Sequence, residues 1–303
     1  MHDRALKPAA GVARAATATD PRGLPRVMRR WAGLGRRNPI GLIGLAGLLL
    51  VIGLAIFAGF VAPFDPTSQL TERLTPPNGI YWLGTDEFGR DVFSRVIWGT
   101  RISLYVGVIA VAIALVIGVT LGLVSGYYGG WADSIIMRFV DILFAFPTIV
   151  LAIAITGILG PSLTNATIAI GLVYAPVFAR VMRGPVLSVV HLEYVQAART
   201  VGASDGRIVW RHVFPNVTAP LIVQTTLALS TAILAEAALS FLGLGTQPPT
   251  PSWGTMLGTG RRFLELSPWV AIFPGVAIML TVLAFNLLGD GLRDVLDPRL
   301  RGS

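Results

Sequence analysis

Long apolar runs separated by short polar segments dominate this chain of 303 residues. Ile40 to Ala62 carries no charge, and neither does Ile142 to Ala179. Beyond Arg211 the next charged residue is Glu236, and the one after it is Arg261. About 20 consecutive apolar residues match the hydrocarbon thickness of a bilayer, so the pattern predicts membrane-spanning helices rather than a soluble core. Six spans are predicted: Ile40 to Ala62, Ile102 to Tyr127, Phe139 to Leu159, Leu163 to Val181, Pro220 to Leu244 and Trp269 to Leu288. The third and fourth come from dividing a charge-free run too long for one crossing. The division falls at Gly160-Pro161, where Ser162, Thr164 and Asn165 complete a turn signal. The predicted fold class is an all-α membrane protein of about six transmembrane helices.

One polar island interrupts the apolar pattern, from Glu193 to Pro215. Leu192, Val195, Ala198 and Val201 recur at helical spacing and predict a first short helix. Gly202 suits the left-handed position that closes such a helix. Ser204 is placed to cap a second helix, with Asp205 at its positive end. Ile208, Val209, Trp210 and Val213 lie along that second helix, and Pro215 stops it. A structured, charged segment held between spans is a feature that a soluble partner can grip.

Composition and charge sharpen this picture. Mean hydropathy is +0.69 and only 13% of residues are charged. The chain has no cysteine, which rules out disulfides and cysteine-held metals. A net charge of +8 would fit nucleic acid, but the basic residues cluster beside the spans, as expected for loops on the cytoplasmic face, and no nucleic-acid partner is predicted. Nine of the first 39 residues are Lys or Arg, which predicts a basic tail leading to an interfacial segment near Val27 to Leu34. With the N-terminus inside, 18 of the 24 basic residues fall on the side of the island and six on the other. Both termini and the island are therefore expected in the cytoplasm, and the segment from about Pro63 to Thr100 outside.

Gly118, Gly122 and Gly126 recur four apart in the second span, a spacing that lets helix backbones approach closely in lipid. Pro147 and Pro176 are expected to kink their spans. Glu236 is the one charged residue well inside a span, where an unpaired carboxylate is costly. It is read as structural or gating, with Arg95 or Arg101 as candidate partners. His2, His191 and His212 have no second ligand at metal spacing. The sequence contains no metalloprotease, nucleophile-elbow or Walker A motif. Catalysis and metal binding by this chain are not predicted.

At the island the residues resemble the "EAA" loop of binding-protein-dependent ABC importer permeases. That loop runs E-A-A, three residues, Gly, nine residues, Ile, one residue, Leu-Pro. Here Gln196-Ala197-Ala198, Gly202, His212, Phe214 and Pro215 keep the spacing. Gln196 stands in place of the glutamate, and Glu193 is an upstream acid out of register. Three further segments are similar to peptide-type permeases: Gly84 to Asp91 with Ser94-Arg95 and Arg101 to Leu104, Glu236 to Gly245, and Gly289 to Asp294 with Asp297-Pro298-Arg299. Together they cover about Ile40 to Arg301. The chain thus resembles the second, "C"-type permease subunit of dipeptide, oligopeptide and nickel importers.

The resemblance implies a type I ABC importer permease in the cell membrane, forming half of a translocation pathway. It implies a tail over 1–39, a first span and external segment over 40–100, a core domain over 101–292 with a coupling loop at 191–216, and a cytoplasmic tail over 293–303. The implied partners are a homologous permease, two cytoplasmic ATPases that bind ATP and Mg, and an extracytoplasmic binding protein. No cofactor is expected in this chain. The implied coupling residues are Glu193, Gln196, Ala197, Ala198, Gly202, Trp210, Phe214 and Pro215. An ion-driven transporter or channel would need intramembrane ion sites that the sequence does not offer beyond Glu236.

Overall fold

The structure, a computed structural model, describes residues 39–296. The basic tail, the segment near Val27 to Leu34 and the Asp297-Pro298-Arg299 motif lie outside the described residues. Among the described residues the fold is helical, with one isolated β-bridge between Thr85 and Asp91.

Helix α1 (Pro39–Ile56) and the short α2 (Ala58–Val61) form the first crossing. Helix α3 (Val92–Tyr128) is 37 residues long, about 55 Å at the helical rise, and exceeds the bilayer core. It starts ten residues before the predicted Ile102. The extra turns form because Asp91 caps them, its carboxylate accepting from the Ser94 amide at 2.7 Å.

The predicted third span is not one helix. It is replaced by α4 (Gly130–Phe144) and α5 (Thr148–Leu159), bent by 90° at the break between them. Pro147 explains the site of the break. It lacks an amide hydrogen, and its ring pushes Phe146 out of helical geometry. Helix α6 (Leu163–Val190) keeps Pro176 and Pro185 in its interior and runs nine residues past the predicted Val181. Its two arginines are paired there, Arg180 with Asp141 and Arg183 with Asp133, at 2.7 and 2.6 Å.

Helices α3 and α6 form the centre of the fold. A Cβ built on Gly118 would lie 2.5 Å from that of Phe178, one on Gly122 2.7 Å from that of Met182, and one on Gly126 2.8 Å from that of Val186. The predicted glycine stripe is thus a contact surface, where any side chain would force the backbones apart. Paired residue numbers rise together, so α3 and α6 run parallel. The α4–α5 pair must therefore carry the chain back across.

The polar island follows as α7 (Glu193–Thr200) and α8 (Asp205–Ile208), then a π-helical turn over Val209–Val213 and a 3₁₀ turn over Phe214–Asn216. Helix α9 (Thr218–Phe241) crosses next, ending three residues before the predicted Leu244. Helix α10 (Trp253–Gly260) had no counterpart among the predicted elements; Ser252 and Thr255 form a capping box at its start. Helix α11 (Trp269–Leu296) continues eight residues past the predicted Leu288 and packs on α1, where Gly44 and Gly47 face Ala284.

Candidate functional site

The island is a folded part of the body. Val195, Ile208 and Val213 are fully buried and join the main apolar cluster of α3 and α6. Helix α7 ends as the sequence predicts. Gly202 has φ +78, its amide donates to Arg199 O at 3.0 Å, and the Ala203 amide donates to Ala198 O at 3.1 Å. This crossed pair of bonds is a Schellman cap, and its left-handed residue favours glycine. No heavy atom lies within 4 Å of where a Gly202 Cβ would stand, so the requirement is conformational rather than steric.

Two expectations for the second half are corrected. Ser204 makes no side-chain capping bond. Asp205 accepts instead from the Tyr127 hydroxyl at 2.6 Å, which turns the first residue of α8 toward the end of α3. The predicted second helix is one α-turn followed by a π-turn, which widens the backbone and leaves Trp210 exposed while Ile208 and Val213 point inward.

The remaining coupling candidates separate by position. Glu193 lies exposed in the first turn of α7. Gln196, where the resemblance expects an acid, donates from Nε2 to Val190 O at 2.8 Å and so ties α7 to the last turn of α6. Ala197 is exposed and Ala198 half-buried. Trp210 packs edge-on to Phe214 at 5.2 Å, and Pro215 follows at the exposed 3₁₀ turn. Tyr194 closes the island by donating to His212 O at 3.3 Å. Leu192, Tyr194, Val201 and Trp210 remain exposed, four large apolar side chains on an otherwise polar segment.

Glu236 is far from the island, about 27 Å along α9 from Thr218. It is fully buried, and neither Arg95 nor Arg101 is its partner. Its Oε2 accepts from Ser103 of α3 at 3.1 Å and its Oε1 from Ser240 at 2.7 Å. Ser240 also accepts from the Thr246 amide at 3.0 Å, which fastens the loop after α9. Hydroxyl donors thus replace the expected arginine. The Leu242-Gly243-Leu244-Gly245 segment serves this arrangement. Gly243, at φ +79, closes α9, with the Leu244 amide donating back to Leu239 O at 2.8 Å.

Both arginines are engaged in or near the segment between α2 and α3. Arg101 stacks on Trp98 at 5.0 Å. Arg95 donates to Pro66 O at 2.8 Å and lies 3.3 Å from Asp86. Asp86 also accepts from Arg90 Nε at 2.7 Å and from the amides of Phe88 and Arg90. This buried hub is the structural content of the Gly84 to Asp91 motif. Glu87 lies beside it, 3.7 Å from Arg90, and burial pushes its carboxyl above the ordinary value. The hub was not legible in sequence: Asp86 and Arg90 meet in a turn, where i, i+4 spacing carries no helical pairing signal.

These features define a class: a multi-pass helical membrane protein whose central helices carry a folded polar island. A chain of the MetNI methionine ABC transporter, solved in inward-facing conformations, superposes with TM-score 0.53 at 20% identity, covering 67% of this chain and 96% of that one. The fold is that of a type I ABC importer permease. Residues 118–302 match the model of the binding-protein-dependent transport system inner membrane component, and residues 36–77 match the N-terminal transmembrane domain of oligopeptide transport permease C. The chain belongs to this family of importer permeases. It is 49% identical to the dipeptide transport system permease protein DppC of Alkalihalophilus pseudofirmus, over 88% of both chains. It is also 49% identical to the glutathione transport system permease protein GsiD of Pectobacterium atrosepticum, over 84% of this chain and 86% of that one.

Proposed function

We propose that this chain is the permease subunit of an ATP-driven importer of small peptides, forming half of the translocation path with a homologous permease. The observation that carries the reading is the island: a folded segment joined to the α3–α6 core that still presents Leu192, Tyr194, Val201 and Trp210 to solvent. A surface of that kind fits a groove on a soluble ATPase, and binding energy there can bias the spans between two states. ATP and Mg belong to the ATPases, and an extracytoplasmic binding protein delivers the cargo. Peptide cargo is supported by the relatives named for dipeptide and glutathione transport.

The charge bias supports the orientation in which the island and both termini are cytoplasmic. Single cysteines at Ser68 and Ser204 test it, since the chain has none of its own. A membrane-impermeant reagent on intact spheroplasts labels Ser68→Cys and spares Ser204→Cys; the reverse pattern refutes the orientation. Purification of tagged protein in mild detergent tests the assembly. Co-purification of a second permease and an ATPase is expected, and purification of the chain alone, with transport unaffected by ATP depletion, refutes the importer reading.

A further inference from the structure

Movement of the island reaches the spans only where the two touch. Most of that contact is apolar, through Val195, Ile208 and Val213, and apolar contact has no directional preference. Two contacts are directional: in one, Gln196 donates to Val190 O at the end of α6, and the other reaches α3. Tyr127, in the last turn of α3 and only 6% exposed, donates its hydroxyl to Asp205 Oδ1 at 2.6 Å. The Arg199 guanidinium lies over the same ring, 5.1 Å from its centre. Arg199 belongs to α7 and Asp205 to α8, so both halves of the island, on either side of the Gly202 bend, hold one side chain of α3.

On its other side the end of α3 is fastened to α6. Ser125 donates to Asp133, which receives a two-pronged contact from Arg183 at 2.6 Å on each oxygen. The glycine stripe locks the same two helices backbone to backbone. A displacement entering at Tyr127 therefore moves α3 and α6 together, and α3 continues unbroken to Ser103 and Arg95 at its far end.

We propose that Tyr127 is the positioning residue through which the island moves α3, held by Asp205 and Arg199. The proposal rests on the reading of the island as the ATPase-coupling element. Its test uses the complete importer with Tyr105→Cys as a reporter, an exposed position on α3 in a chain without other cysteines. The quantity read is the change in labelling rate of that cysteine when ATP is added. Tyr127→Phe removes one hydroxyl and keeps the ring. The ATPases should remain bound and active, while the ATP-dependent change in labelling falls about tenfold, the scale of one lost charge-assisted hydrogen bond.

Asp205→Ala should give the same loss. Asp205→Asn, whose side-chain oxygen still accepts, should recover most of the response, and Tyr127→Phe with Asp205→Ala should be no worse than either alone. If Tyr127→Phe does not assemble, Asp205→Ala at its exposed position decides the matter. A parent that responds to ATP with variants that respond equally, or losses that add in the double variant, overturns the latch alone. A parent that retains no ATPase overturns the coupling reading, and the latch with it.

Discussion

Replacing Gly202 with valine separates the island's bend from its chemistry. Gly202 stands at φ +78 with open space around its missing Cβ, so no clash contributes. A non-glycine residue in the left-handed region costs about 1–2 kcal/mol, and a β-branched one falls at the upper end. The alternative is to leave that region and lose the two capping bonds from Gly202 and Ala203, about 1–3 kcal/mol together. The chain takes the cheaper route, so the penalty is about 1–2 kcal/mol, a factor of about 5–30 in the population of the bent conformation. If the bend is what the ATPase recognises, its apparent affinity weakens by up to the same factor. The assay is titration of purified ATPase onto immobilised importer membranes, with ATP turnover measured alongside. Gly202→Val should weaken association within that range and reduce stimulated turnover, with insertion normal. Gly202→Asn, which tolerates the left-handed region, should stay within about threefold of the parent. Unchanged binding by Gly202→Val refutes the hinge. Equal losses from Asn and Val would show that bulk at the interface matters, not backbone conformation.

Three further outcomes follow from the packing. Gly122→Leu should destabilise the protein by about 1–3 kcal/mol or prevent its accumulation, because the new Cβ would lie 2.7 Å from that of Met182; a thermal midpoint in detergent equal to the parent's refutes the close α3–α6 contact. Glu236→Leu leaves Ser103 and Ser240 without their buried acceptor and should lower thermal stability more than Glu236→Gln, which still bridges both; both should reduce transport of all cargoes together, and a selective change in cargo refutes the structural role. Glu87 has a raised carboxyl, so the folded state holds its proton more tightly than the unfolded chain, and stability contributed there falls as pH rises from its ordinary 4.5 through the raised value. Glu87→Gln should remove that segment of the pH–stability curve in detergent; an identical curve refutes it.

Much of the architecture is written in one-dimensional pattern. Bilayer thickness converts apolar run length into spans, and five of the six predicted crossings are single long helices, the one that carries Glu236 included. The Gly202 bend and the close approach at Gly118, Gly122 and Gly126 were equally legible, because both depend on a residue type with no side chain at a particular spacing. Orientation rests on the arginine bias and not on the fold. Tertiary structure decided what depends on distant partners. Helix α6 runs past Arg180 and Arg183, whose partners Asp141 and Asp133 only the folded α4 brings near, and α4 leaves α5 at 90° although Pro147 by itself announced no more than a kink. Glu236 has serines, not arginines, around it because the folded α3 brings Ser103 within 3.1 Å while Arg95 is held by Asp86 and Pro66. Asp205 starts α8 as its sequence position predicts, but it also accepts from Tyr127, 78 positions away, which spacing could not show. Local chemistry sets which elements can form, but a polar side chain in a membrane protein takes the partner that packing brings near, and sequence spacing does not encode that distance.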